Sequence, residues 1–315
     1  MEILWPYQDG EVGDFFYARY GHPAVAEAEA ALGELDGGTA VLFPSGTGAA
    51  TGLVLSLLRP GDAIALAAGA YYGTGRLFET LATWGLRHVE FDQTGPPPDG
   101  AQLVWLEAPS NPFLTMPDFE SAVAYPAPVV VDSTVATPVR LRPLETGADF
   151  VLHSATKYLG GHDDVLLGAV VCRDERAAEE LRAFRGRTGI SPAAEPARLL
   201  TRSLRTLEVR VARQEASAAA IADRLRSHPK VETVRYPGFG GLISFDVADG
   251  DAARRVETST RLVTNATSLG SVGSLIEGRH RWEGDRVPAG LLRLSVGLED
   301  PDAIWADLAQ ALERA

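Results

Sequence analysis

Short apolar runs recur through the first half of the chain, at Ala40–Phe43, Ala63–Ala67, His88–Phe91, Leu103–Leu106, Val129–Val131, Phe150–Leu152 and Ala169–Val171. Between several of them the apolar residues fall instead at helical spacing, over Pro23–Leu35, Gly46–Leu58 and Thr74–Trp84. Runs apolar on both faces, separated by helices, predict a largely parallel sheet covered on both sides. The Gly37-Gly38 pair stops the first helix, and the prolines within Thr94–Gly100 mark a surface loop. From about Leu199 the texture changes. Leu204–Leu225 reads as one long helix, followed by strand-like Val231–Tyr236, Gly241–Val247 and Leu291–Val296 and a last helix over Pro301–Leu312. The pattern predicts an α/β protein with an N-terminal arm (1–20), a large domain (21–202) and a smaller C-terminal α/β domain (203–315).

A chain of 315 residues is long enough to bury two cores. Its formal charge of −13 argues against a nucleic-acid backbone or an anionic membrane as partner. Cys172 is the only cysteine, which excludes an internal disulfide and the cysteine-rich metal patterns. The N-terminus lacks the basic start and apolar core of a signal peptide, and no run of about 18 uncharged apolar residues appears. The expectation is a cytoplasmic protein with a small-molecule substrate and no metal.

Candidate chemistry gathers at the ends of the predicted strands, where ligand sites of parallel sheets lie. Lys157 follows Phe150–Leu152 within His153-Ser154-Ala155-Thr156-Lys157-Tyr158. A lysine becomes nucleophilic only when deprotonated, and desolvation in a pocket favours that form. Asp132 closes the Val129–Val131 run, where a buried carboxylate needs a partner. Pro44-Ser45-Gly46-Thr47-Gly48 joins a strand to a helix, a turn whose backbone amides suit an anion. Each signal is weak alone: loop lysines are usually solvated, strand-end aspartates often cap helices, and glycine-rich turns occur in every doubly wound fold.

Together, in order, the motifs carry more weight. They are Tyr17-Ala18-Arg19, Ser45-Gly46-Thr47, Tyr71-Tyr72-Gly73-Thr74 with Arg76, Glu107-Ala108-Pro109-Ser110-Asn111-Pro112, Val131-Asp132-Ser133-Thr134, His153–Tyr158 with Gly161-His162, Ser268-Leu269-Gly270, and Leu292–Gly297. This chain resembles the Cys/Met-metabolism family of pyridoxal-phosphate (PLP) enzymes, the cystathionine γ-synthase and γ-lyase group of transsulfuration. The resemblance implies an aspartate aminotransferase-like, type I PLP-dependent transferase fold with pyridoxal 5'-phosphate as cofactor. It further implies that Lys157 holds the cofactor and moves protons, that Asp132 pairs with the ring nitrogen, and that Gly46, Thr47, Ser154 and Thr156 hold the phosphate. Tyr71 would stack on the ring and assist proton transfer, and Asn111 would contact the cofactor hydroxyl side. Arg293 would clamp the substrate α-carboxylate, with Ser268, Asn111 and Arg76 on the substrate side. Tyr17 and Arg19 would reach the phosphate of a neighbouring subunit, making a homodimer the minimal active unit and a homotetramer the expected assembly.

The chain departs from the family pattern in places. The arm is short, Pro237-Gly238 runs almost directly into Phe239-Gly240-Gly241 where family members carry an extra segment, His22 stands where Asn is usual, and Thr267 where many members have Glu. Glu277–Gly284 resembles the loop of actinobacterial-type cystathionine γ-lyases, and Arg279 and Arg281 within it read as solvated loop arginines. Arg76, and Gly73 in place of a cysteine, favour cystathionine over methionine. The expected reaction is γ-elimination of cystathionine to cysteine, 2-oxobutanoate and ammonia. The alternative is γ-replacement on an O-acyl-homoserine, as in cystathionine γ-synthase or an O-acylhomoserine sulfhydrylase. A carrier that binds PLP without turnover would have little use for Lys157, Tyr71 and Arg293 together.

Overall fold

The protein is described by a computed structural model covering residues 2–315. Seven strands form the larger sheet: β1 (Thr39–Phe43), β2 (Ala63–Ala67), β3 (Arg87–Phe91), β4 (Leu103–Glu107), β5 (Val129–Asp132), β6 (Phe150–His153) and β7 (Gly168–Cys172), in the order β1-β7-β6-β5-β4-β2-β3. Strands β2 to β6 are mutually parallel, and β7 runs against both of its neighbours. Successive residues of one strand enter opposite cores. Leu42, Val151 and Val171 pack with Leu32 and Leu200 on one face, while Val41, Leu152 and Val170 pack with Leu53, Phe78 and Trp105 on the other. Helices therefore cover both faces, as the doubly apolar runs require.

The parallel direction brings the carboxyl ends of β4, β5 and β6 to one edge, with Glu107 opposite Asp132 and Asp132 opposite Leu152. Two backbone approaches fix the turn after β1 against that edge. A Cβ on Gly46 would lie 2.9 Å from the Ser154 Cβ, and a Cβ on Gly168 would overlap the Ser45 carbonyl. Only glycine lets the β1 turn lie this close to β6 and β7. His22 caps the Pro23–Asp36 helix, its Nδ1 accepting the Ala24 N–H at 3.0 Å. It does there what asparagine would do.

The second sheet contains β8 (Thr233–Arg235), β9 (Leu242–Asp246), β10 (Thr264–Asn265), β11 (Leu275–Gly278) and β12 (Leu291–Ser295), in the order β10-β11-β12-β9-β8. Its core joins Phe245, Ile276, Leu292 and Leu294 to Ile221 and Leu225 of the long helix and to Ile304 and Leu308 of the last one. The helical pattern read from Leu204 is interrupted at Arg205-Thr206: one helix ends at Leu204 and the long one spans Leu207–Arg226. Thr206 is a poor continuation, and its own hydroxyl bonds back to the Ser203 carbonyl at 3.2 Å. β11 was invisible in the apolar pattern because its third residue, Glu277, is a buried acid. Cys172 lies buried in β7, and burial pushes its thiol up to about 12. Among the described residues, no helix is long and apolar enough to cross a membrane.

Substituting Gly168→Ala should destabilise the fold by about 1–3 kcal/mol, the usual cost of forcing extra volume into a packed site. Urea unfolding followed by circular dichroism reads this as a lower midpoint. An unchanged midpoint would mean that the Ser45–Gly46 turn can move away without cost.

Candidate active site

Asp132 ends β5 only 8% exposed, beneath a cavity at the carboxyl edge of the sheet. Its Oδ1 accepts the backbone N–H of Thr134 at 3.0 Å and the Thr134 hydroxyl at 2.5 Å. This is the Asx-type turn that aspartate forms two residues on. Both bonds go to Oδ1, which leaves Oδ2 without a protein donor among the described residues. Burial pushes the Asp132 carboxyl up, against the pull of these Thr134 bonds. Glu107 on the neighbouring strand is also pushed well up, by burial and then by the charge of Asp132. The backbone N–H of Tyr71 bonds to Glu107, tying the Tyr71 segment to the sheet edge.

Lys157 lies on the loop after β6, and its Nζ donates to Ser268 Oγ at 2.9 Å. Burial and then the positive field of Arg293 bring its ammonium down to about 8. The opposing carboxylates of Asp163 and Glu277 are too weak to restore it. Ser268 has a left-handed backbone (φ 115°), rare for a residue with a side chain, and is held at both ends. Lys157 bonds its hydroxyl, and Arg293 Nη2 donates to its carbonyl at 3.0 Å. Arg293, buried on β12, also donates to Asn111 Oδ1 at 3.0 Å and to Glu277 Oε2 at 2.9 Å. Burial, then the like charge of Arg279, lowers it to about 10.

The cavity also takes in the N-terminus of the Gly46–Leu57 helix, where Ser45 caps by accepting the Gly48 N–H at 3.0 Å. Gly46 lies against Ser154, and Thr47, Thr156 and Tyr71 line the cavity with them. Burial pushes the Tyr71 phenol up to about 12, so it is protonated at neutral pH.

The cavity thus unites Gly46, Thr47, Tyr71, Asn111, Asp132, Ser154, Thr156, Lys157, Ser268 and Arg293. Three of the expected residues lie elsewhere. Arg76 is exposed, paired with Glu79 at 3.0 Å, in a groove that adjoins the cavity across Tyr71 and Tyr72. Tyr17 and Arg19 lie on the arm, where Arg19 donates to the Gly186 carbonyl at 2.9 Å and packs over the Tyr20 ring. Arg279 corrects the sequence reading: it is not solvated but 1% exposed, lines the cavity and bonds Glu277 and Glu283. The spacing Glu277-x-Arg279-x3-Glu283 carried that signal, since alternating charges on a tight turn can neutralise one another. Arg281 is half exposed and bonds Glu257.

Comparison with known proteins places this arrangement. Residues 5–313 match the model of the family described as Cys/Met metabolism PLP-dependent enzyme. The chain is 40% identical to a Streptomyces coelicolor protein provisionally named cystathionine gamma-lyase, covering 96% of this chain and 84% of that one. It is 43% identical to the L-methionine gamma-lyase of Streptomyces avermitilis, covering 94% and 75%. A crystal structure of cystathionine gamma synthase from Xanthomonas oryzae in complex with cystathionine superposes with a TM-score of 0.93 at 34% identity, over 99% of this chain and 91% of that chain. Pyridoxal phosphate is the cofactor of the family, and the cavity fits it. The free Oδ2 of Asp132 suits a protonated ring nitrogen, and the helix N-terminus with Ser154 and Thr156 suits a phosphate. The depressed ammonium of Lys157 suits capture of an aldehyde.

In cofactor-free protein, Lys157 should react with an amine-selective reagent half-maximally near pH 8. Below that pH it is protonated and inert; above it the free amine accumulates, while ordinary surface lysines stay protonated to about 10. Peptide mapping of the labelled site against pH checks this, and a midpoint near 10 would mean that Lys157 is solvated.

Proposed function

We propose that this chain, which belongs to the Cys/Met metabolism family of PLP-dependent enzymes, cleaves cystathionine by γ-elimination to cysteine, 2-oxobutanoate and ammonia. The observation that carries this reading is the convergence of Lys157, Asp132 and Arg293 on one cavity. When bound, the cofactor supplies an electron sink for the negative charge that develops at the substrate Cα.

Each residue then has a task set by its surroundings. Arg293, its guanidinium aimed by Asn111 and Ser268, would take the α-carboxylate as a two-pronged donor. Lys157 Nζ, whose ammonium burial brings down to about 8, would hold the cofactor covalently at rest, then remove the Cα proton and shift a Cβ proton. Ser268 keeps that amine beside the clamp, so the carboxylate and the Cα proton are presented together. Asp132 would hold the proton of the ring nitrogen at Oδ2, with Thr134 fixing its plane. The Gly46 and Thr47 amides, Ser154 and Thr156 would bind the phosphate. Tyr71, kept protonated by burial, is suited to deliver a proton to the departing sulfur.

Cystathionine is favoured over methionine by Gly73. A Cβ there would overlap the Tyr71 ring, so a thiol at this position, as methionine γ-lyases carry, would require Tyr71 to move from where it stands. Arg76 lies in the groove beyond Tyr72, where the second amino-acid end of a long substrate would emerge. A second reading, γ-replacement on an O-acyl-homoserine, is favoured by the fold's likeness to a synthase that binds cystathionine. It uses the same residues. Tyr17 and Arg19 stand on the arm; their reach to a second copy, the homodimer, and a tetramer of such pairs are part of the proposal.

Purified protein given PLP and cystathionine should release cysteine and 2-oxobutanoate, and Lys157→Ala should abolish this while keeping the fold by circular dichroism. Formation of cystathionine from O-succinyl-homoserine and cysteine, without cleavage, would favour the second reading. Unchanged turnover in Lys157→Ala would remove the lysine from the chemistry.

A further inference from the structure

Arg293 ends a chain of alternating buried charges. Glu277, directly opposite it on β11, accepts Arg293 Nη2 at 2.9 Å and Arg279 Nη1 at 2.7 Å on the same oxygen, Oε2. Its other oxygen accepts the Trp282 indole N–H at 2.6 Å. Arg279 is held from the far side by Glu283, whose Oε1 accepts its Nε at 3.1 Å and its Nη2 at 2.9 Å. The Tyr72 ring, 5.7 Å from the Arg279 guanidinium, and the Trp282 ring stacked on Tyr72 seal the group from water. All four charged residues are buried.

The order Glu283–Arg279–Glu277–Arg293 is neutral as a whole, but its cationic end meets the cavity and its anionic end lies farthest away. A carboxylate bonded to Arg293 alone would cancel much of that cation's field in a medium of low dielectric constant. Arg279 and Trp282 draw on the same carboxylate, so Arg293 keeps its orientation without surrendering its charge. We infer that Arg279 is a positioning residue that shares Glu277 and thereby keeps Arg293 able to bind the substrate α-carboxylate. This rests on the clamp role of Arg293 proposed above.

The test compares two probes on the PLP-loaded enzyme by calorimetry: L-norleucine, and pentylamine, which is norleucine without its carboxylate. Arg279→Met should weaken norleucine about tenfold or more, as expected when a buried charge pair loses one partner, and leave pentylamine unchanged. Adding Glu277→Gln to that variant should restore most of the lost affinity, because the unshared anion is gone. Glu277→Gln alone, which keeps an acceptor for both guanidiniums, should bind norleucine at least as tightly as the parent. This single variant carries the test if Arg279→Met does not fold. Equal weakening of both probes, a double variant no better than Arg279→Met, or weaker norleucine binding by Glu277→Gln would overturn the inference. Arg293→Met separates the two levels of the argument. If it still binds norleucine like the parent, the clamp itself is wrong; if it loses norleucine while Arg279→Met does not, only the inference about Arg279 fails.

Discussion

Burying the Asp132 carboxylate at the end of a parallel strand is the constraint around which this molecule is arranged. An unpaired buried anion is costly, and here the protein meets only half of its demand. Thr134 satisfies Oδ1, while Oδ2 faces the cavity. Glu107, its neighbour across the strand pair, has its carboxyl pushed up by burial and by the charge of Asp132. Behind the same edge His153 and Asp36 form a fully buried pair at 2.7 Å, with the field of Asp132 adding to that of Asp36 in favouring the charged imidazole. Glu107 on one side and the His153 imidazole on the other bracket the Asp132 carboxylate.

The larger sheet was legible because its strands are apolar on both faces. Such runs leave little choice of layer, and successive residues such as Val41 and Leu42 enter opposite cores as a doubly covered sheet demands. Lys157 and Asp132 could be picked out because strand ends are where a parallel sheet keeps its ligands. The residues around Arg293 were not legible, for a physical reason. Glu277, Arg279 and Glu283 are charged side chains in a loop with a tryptophan, and such residues are solvated unless they neutralise one another. Only the fold reveals that they do. The same charges hid β11, whose strand period is broken by the acid that Arg293 needs.

The division of labour between the two sheets also follows from chemistry rather than from size. The larger sheet supplies the groups proposed to hold a ring and phosphate: a strand-end acid, a helix N-terminus and a lysine. The smaller supplies Arg293 and its counter-charges on antiparallel strands, where register sets cross-strand pairs residue by residue. Ser268 sits at the seam, its hydroxyl committed to Lys157 and its carbonyl to Arg293. Its left-handed backbone is the local strain that so close a junction imposes.

The Leu207–Arg226 helix gives that seam a mechanical character. Arg210 donates to the Tyr158 carbonyl at 2.7 Å, next to Lys157, and Gln214 donates to the Ser271 and Val296 carbonyls at 2.8 and 3.1 Å, near Ser268 and Arg293. One turn of one helix therefore acts as a common spar for the segments bearing the amine and the guanidinium. A helix interior is stiff, so thermal displacement of either segment is transmitted to the other with little relative slip. The spacing between amine and guanidinium is thus tied to one rigid element as well as to the packing of the two sheets.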